Sequence, residues 1–398
     1  MKYAETSFRG RWKKRAVWFA VVCLLLTFWI LGRRYPTGNS IANTLSWPSD
    51  GYQLAVHKLT YSSKKNHPDR HKPMKKESWM EEDSVPRENA TCDKCCYRYT
   101  TIDKGLVKIR SKSDLRKRGC SKRFPDAIIF GVKKGGTTTL KNFLSYHPDI
   151  AFTQREVQFF TSTEERSKGL EYYRSRMIQS IPDQITMEKS PAYFQYRGIP
   201  ALIRKALPRV KLITIMRDPV QRAISDYVHM RVTMAKKCNL TSSIAPDAKC
   251  QVDSANYFIG NTFEESVINS SGEVSRTNLL VAKGVYVTVL RGYLMYFHPK
   301  QILAIDGEAF INDPYPAVKR VEQFLGIRDY FTPDHFYFEA QKGFFCLNKP
   351  IPRNCMREAK GRPHPDVDDA TLLKLRDFYR PYNKALNQLM KVDFRWSS

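Results

Sequence analysis

The chain of 398 residues has room for one large domain or two ordinary ones. Its 42% hydrophobic and 12% aromatic residues exclude a globally disordered chain. A formal charge of +27, from 66 Lys and Arg against 39 Asp and Glu, points to a polyanionic partner: nucleic acid, anionic lipid or an acidic polysaccharide. In chain order, Lys2, Arg9, Arg11, Lys13, Lys14 and Arg15 precede an uncharged apolar run from Ala16 to Leu31. This pattern predicts a cytoplasmic tail over 1–15 and a membrane-spanning signal anchor over 16–31. The run is shorter than a full span of ~20 residues, which a thin bilayer or snorkelling arginines accommodate. A cleaved signal peptide is the alternative; the long basic region and the lack of a small-x-small site directly after the run weigh against it. Residues 32–119 are polar and without sustained period, and read as an extended lumenal stalk.

Asn89, Asn239 and Asn269 open Asn-x-Ser/Thr triplets, the acceptor pattern for N-glycosylation. Cys23 lies in the apolar run; Cys92, Cys95, Cys96, Cys120, Cys238, Cys250, Cys346 and Cys355 form an even set of disulfide candidates for an oxidising compartment. "CDKCC" lacks a second half at zinc spacing, so no metal is expected.

From residue 120 to 398 apolar periodicity returns, and a single domain is expected there. "DAIIFGV" (126–132), "VKLITIM" (210–216) and "QILAIDG" (301–307) are continuous apolar runs between helix-like stretches. They predict an α/β fold with a parallel sheet covered on both faces, whose ligand site lies at the carboxyl ends of the strands.

The first run leads into "GVKKGGTTTL", a phosphate-loop-like turn. Gly131, Gly135 and Gly136 let the backbone approach an anion, Lys133 and Lys134 add cations, and Thr137 to Thr139 open a helix. Thr137 stands where the lysine of an ATP-binding loop belongs. An ordinary glycine turn is the plainer reading, but two lysines and three threonines favour the anion. The second run leads into "IMRDPVQRAISDY". Arg217 ends the strand, Asp218 and Pro219 suit a helix start, and Ser225 follows two turns on. Arg217 and Ser225 make a pair for a second phosphate. The two motifs together suggest a nucleotide phosphorylated at both ends.

These residues resemble the sulfotransferase family, whose donor is 3′-phosphoadenosine 5′-phosphosulfate. The domain is similar in particular to the heparan sulfate glucosamine sulfotransferases, through "REVQFF", "ITMEKSPAYF", "KGFFC", "KGRPHP" and "LRDFYRPYN" as well, from Phe124 to the C-terminus. The resemblance implies a sulfotransferase fold and a Golgi type II membrane enzyme, with its catalytic domain in the lumen. It casts Lys133, Lys134, Gly135, Gly136, Thr137 and Thr138 as the 5′-phosphosulfate loop, and Arg217 and Ser225 as the 3′-phosphate pair. Glu156 is the expected general base. Lys134 and Lys189 are expected beside the transferred sulfate, and Gln158 and Lys189 toward the acceptor. Lys360, Gly361 and Arg362 are expected to close over the donor, held by a Cys346–Cys355 disulfide. Sulfuryl transfer rests on in-line positioning and charge stabilisation, so no metal is required. The implied partner is heparan sulfate or a related anionic glycosaminoglycan, with no nucleic acid.

The 3-hydroxyl of glucosamine is the first expectation for the position sulfated. Gln158 and Thr161 depart from the 3-O pattern, which has a histidine and an acidic residue there, and Thr138 replaces its usual arginine. N-sulfation and a chondroitin-type carbohydrate sulfotransferase are the alternatives. Two other classes are a phosphate-loop kinase or nucleotidase, disfavoured by Thr137 and Arg217, and a non-catalytic heparin-binding membrane protein, in which Glu156 would be idle.

Overall fold

The computed structural model describes residues 95–102, 105, 107–237, 258–356 and 363–396. The expected tail, the anchor, the stalk up to residue 94, Asn89, Asn239 and Lys360 to Arg362 lie outside the described residues. Among the described residues no helix is long and apolar enough to cross a membrane.

Five parallel strands form the central sheet: β1 (Ala127–Gly131), β2 (Ile150–Phe152), β3 (Ile185–Lys189), β4 (Lys211–Met216) and β5 (Ile302–Asp306), in the order β2-β3-β1-β4-β5. The helices that matter to the site are α1 (Thr137–Leu144), α2 (Pro219–Lys237), α3 (Tyr286–Leu294), α4 (Gly307–Asn312), α5 (Pro314–Leu325) and α6 (Asp369–Met390). Side chains alternate across the pleat. Ile128, Phe130, Leu212 and Met216 face one core with α2, α3 and α6; Ala127, Ile129, Ile213 and Ile215 face another with α1, α4 and α5. Burial on both faces explains why β1 and β4 read as unbroken apolar runs. A fully buried side chain such as Phe130 contributes roughly 1.5–3 kcal/mol. β2 and β3 escaped the sequence reading: β2 has three residues, and β3 ends in Glu188 and Lys189.

The chain turns from β1 toward one edge of the sheet and from β4 toward the other. A crevice therefore opens at their carboxyl ends, where ligands of such sheets bind.

The folded part begins before residue 120, which corrects the expected stalk boundary. Strands Tyr97–Tyr99 and Val107–Ile109 form an antiparallel hairpin, and a Cys96–Cys120 disulfide ties it to the domain. Cys95, Cys96 and Tyr97 are fully buried, and the Tyr97 hydroxyl donates to the carbonyl of Ile150 on β2 at 2.5 Å. Strands this short show no period in the sequence, and their few apolar residues are diluted by charge.

A second hairpin, Phe336–Glu339 with Phe344–Leu347, lies after α5. The Cys346–Cys355 disulfide is formed and closes a segment of sequence separation 9 behind it.

Candidate active site

A cleft of about 1000 Å³ opens at the ends of β1 and β4. Its first wall is the loop from Val132 to Gly136 and the start of α1. Gly136 sits at φ 109° and caps α1 without a side-chain bond. The first intrahelical bond runs from the Leu140 amide to the Gly136 carbonyl at 3.1 Å. The amides of Thr137 to Thr139 precede it and, with the helix dipole, favour an anion. Gly135 is pressed under the loop, where an added Cβ would lie 2.3 Å from the Ile215 carbonyl of β4. Lys133, Lys134, Gly136, Thr137 and Thr138 line the cleft, whereas Gly135 supports the loop from beneath.

The second wall comes from β4 and α2. The Asp218 carboxylate accepts from the Val220 amide at 2.7 Å and so starts α2. Burial, opposed by that bond, raises the Asp218 pKa. Arg217 and Ser225 line the same cleft. The Arg217 Nε lies 3.0 Å from Glu308 Oε1 on α4, and its carbonyl accepts from the Tyr286 hydroxyl at 3.0 Å. Further along the helix, buried Asp226 pairs with Arg222 at 3.3 Å and with Lys133 Nζ at 3.0 Å. His229 reaches the cleft one turn after Ser225.

The third wall holds Glu156 and Gln158, after β2, and Lys189, the last residue of β3. Lys189 Nζ forms an ion pair with Glu156 Oε1 and lies 3.4 Å from Thr138 Oγ1. The lysine side chain is 8% exposed and the glutamate 37%, so the carboxylate remains open to a ligand. Gln158 Nε2 donates to Glu156 Oε2 at 3.0 Å. The Gln158 amide donates to Ser190 Oγ at 3.0 Å, and that hydroxyl donates to Glu188 Oε2 at 2.7 Å. Glu188 is fully buried and also accepts from the Tyr173 hydroxyl at 2.7 Å. Burial raises the Glu188 pKa, opposed by the Ser190, Tyr173 and Tyr193 hydroxyls and the Val157 amide. Because Ser190 spends its proton on Glu188, its oxygen is free to accept from Gln158. Glu188 thereby holds the segment that carries Glu156.

Hairpin residues Lys342 to Phe345 and Met356 form the remaining side. Lys342 Nζ donates to the Met356 carbonyl at 3.3 Å, and Thr139 Oγ1 lies 3.7 Å from Met356 Sδ. The Cys346–Cys355 disulfide thus braces a wall of the cleft. Desolvation, then the Arg217 and Lys134 cations, push His364 below the usual imidazole range, against Glu308.

Residues 124–390 match the family described as the sulfotransferase domain. The chain belongs to the sulfotransferase family. It is similar to human heparan sulfate glucosamine 3-O-sulfotransferase 6, 40% identical over 279 residues that cover 69% of this chain and 74% of that one. Human 3-O-sulfotransferase 5 is 36% identical over 288 residues, 72% and 78% of the two chains. Human 3-O-sulfotransferase 3B1 is 38% identical over 279 residues, and the match spans 66% of its length. A crystal structure of a sulfotransferase from Alicyclobacillus acidocaldarius aligns with 69% of this chain and 100% of its own, at 21% identity and a TM-score of 0.49. The chain is a sulfotransferase enzyme, of a family that uses 3′-phosphoadenosine 5′-phosphosulfate.

In this sulfotransferase the cleft brings together nine residues singled out from sequence: Lys133, Lys134, Gly136, Thr137, Thr138, Glu156, Gln158, Arg217 and Ser225. Lys189 stands behind Glu156. Asn269 is exposed, and its side chain accepts from the Ser271 and Glu273 amides at 3.0 and 2.9 Å. His229, Lys283, Lys342, Glu188 and Glu308 were missed. For His229 a signal existed: Arg222, Ser225, Asp226 and His229 recur at helical spacing and so share one face of α2. Glu188 and Lys342 lie inside the quoted motifs "ITMEKSPAYF" and "KGFFC", but neither was given a role; Lys283 and Glu308 come from distant segments and carry no motif.

Proposed function

We propose that the enzyme transfers the sulfuryl group of 3′-phosphoadenosine 5′-phosphosulfate to the 3-hydroxyl of a glucosamine in heparan sulfate. Glu156 carries this reading: an open carboxylate, held by Lys189 and Gln158, in the same cleft as the Lys134 loop. The relatives named above, all glucosamine 3-O-sulfotransferases, support the position sulfated. Glu156 takes the proton of the acceptor hydroxyl as its oxygen bonds to sulfur. The sulfur–oxygen bond to the 5′-phosphate breaks in line, and its electron pair stays on the phosphate. Lys134 and the opening amides of α1 stabilise that charge. Lys189, between Glu156 and Thr138, spans the acceptor and sulfuryl sides, while Arg217 and Ser225 hold the 3′-phosphate. Lys360, Gly361 and Arg362 close over the bound donor. No step as written asks for a metal.

The charge of +27 suits an anionic glycosaminoglycan. The apolar run at 16–31 and the sequons at Asn89, Asn239 and Asn269 support a glycosylated type II protein of the Golgi membrane. Gln158 and Thr161, as departures from the 3-O pattern, favour N-sulfation as the second reading.

The test is disaccharide analysis of heparan and chondroitin sulfates after incubation with labelled donor. Label on the 3-oxygen of glucosamine is expected. Label on glucosamine nitrogen or on chondroitin overturns the assignment, and binding of heparin with no transfer at all would favour a non-catalytic role.

A further inference from the structure

Lys283 lines the cleft, and no step above uses it. It follows the short helix Leu279–Ala282, which is clamped from two sides. Arg222 on α2 donates to the Leu280 carbonyl, and the Tyr379 hydroxyl on α6 donates to the Val281 carbonyl at 2.8 Å. The next residue, Gly284, is packed so closely that an added Cβ would lie 2.7 Å from the Tyr379 hydroxyl and 2.8 Å from Pro219 Cβ. Two elements, α2 through Arg222 and Pro219 and α6 through Tyr379, therefore set where the Lys283 backbone stands.

Its electrostatic neighbours are Asp226, Lys133 and Arg222. Asp226 is fully buried, with one oxygen 3.0 Å from Lys133 Nζ and the other 3.3 Å from Arg222 Nη1. Asp226 thus pairs with two cations and attracts a third, Lys283, and Lys133 and Lys283 both line the cleft. Partial burial lowers the Lys283 pKa to about 8, with Asp226 opposing and Lys133 and Arg222 adding to the shift. Such a cluster favours an arriving anion, which would offset both the desolvation of the ammonium and the repulsion between lysines.

We propose that Lys283 and Lys133 form an anion subsite that takes a sulfate or phosphate group of a bound substrate. The subsite deepens the sulfotransferase reading and rests on it. Two sources share this chemistry: a sulfate already on the acceptor glycan, and the 3′-phosphate of the donor, whose expected partner Ser225 is beside Asp226 in the chain.

Lys283→Met keeps length and removes charge; Lys283→Arg keeps charge. Initial rates give KM for donor and acceptor and kcat for the wild type and both variants. Calorimetry with adenosine 3′,5′-bisphosphate and with heparin gives binding without turnover. Losing one charge-assisted hydrogen bond predicts a roughly tenfold rise in one KM for Lys283→Met, largely restored in Lys283→Arg. If the anion is an acceptor sulfate, acceptor KM and heparin affinity weaken, nucleotide affinity holds, and the difference fades on a desulfated acceptor. If it is the donor phosphate, nucleotide affinity weakens and acceptor KM holds. Unchanged KM values and affinities in Lys283→Met, or an Arg variant no better than Met, overturn the subsite. Should the wild type transfer no sulfate, the reaction assignment fails, and the two calorimetric titrations still decide the subsite.

Discussion

On the proposed donor side of the cleft, one continuous stretch from Val132 to Thr139 offers backbone amides, and glycine packing against β4 keeps it in place. On the proposed acceptor side nothing is continuous. Glu156 meets Lys189 from 33 residues away, and the Gln158 amide meets Ser190 from 32 away. Glu188 ties Ser190 to Tyr173 beneath them. A local wall depends on backbone shape, and changing one side chain alters its charge but not its form. An assembled wall depends on buried side-chain hydrogen bonds, and losing one partner leaves another unsatisfied.

The strongest way to break this comparison is Glu156→Gln. The amide keeps the shape and can still hydrogen-bond, but it cannot take a proton. A rate loss of ~10²–10⁴ is expected at saturating donor. Nucleotide affinity by calorimetry should hold, because the donor wall is separate. A wild-type rate across neutral pH would show that another group accepts the proton.

Lys134→Met tests the donor wall in the same way. On the proposed reading, in which Lys134 stabilises the leaving phosphate, its loss should cost ~3 kcal/mol in the rate step, about 10²-fold in kcat. Donor affinity should fall far less, since the loop amides remain. Equal losses in both would mean that Lys134 binds the ground state and transition state alike.

Glu188→Gln separates the two walls more finely. An amide cannot serve all the donors that surround the buried carboxylate, so the Gln158 segment loosens. A drop in kcat of about tenfold with unchanged nucleotide affinity is expected, on the scale of ~1–3 kcal/mol for a disturbed buried bond. The pH dependence gives a second readout. The folded-state pKa of Glu188 is raised above 4.5. Its contribution to stability is therefore full below 4.5 and is lost as pH rises through the folded value. Thermal melts from pH 4 upward should show that decline in the wild type, and a flatter profile in the Gln variant. Identical slopes would mean that Glu188 does not titrate there.

The smallest effect is expected from replacing Cys346 and Cys355 together by serine. Opening this short loop should cost ~2–3 kcal/mol, read as a melting temperature lower by several degrees. Donor affinity should weaken a few-fold as Lys342 and Met356 lose their brace. Full retention of both would show that the hairpin is held by packing alone.

The same contrast explains what was legible in the chain. β1, β4 and β5 are visible as apolar runs because both of their faces are buried. The two phosphate motifs are visible because each lies within one strand, turn and helix start. The hairpin at 97–109 was read as stalk, because three-residue strands carry no period and the disulfide that fixes them spans 24 residues. Glu156 was singled out only through its resemblance to a family motif; by composition it is an ordinary glutamate beside an arginine. Glu188 lay inside a quoted motif without a role of its own, and Glu308 on Arg217 and Lys283 in the field of Asp226 had no local signal at all.

By itself the sequence determined the α/β class, the place of the anion site at two strand ends, and the kinds of groups gathered there. These follow from hydrophobic period, glycine stereochemistry and helix-start chemistry, which act over a few neighbouring residues. Only the tertiary structure decided which lysine holds Glu156, which buried carboxylates organise the walls, and where Lys283 stands. Those pairings depend on distances between segments tens of residues apart, and on burial that gives each charge its environment.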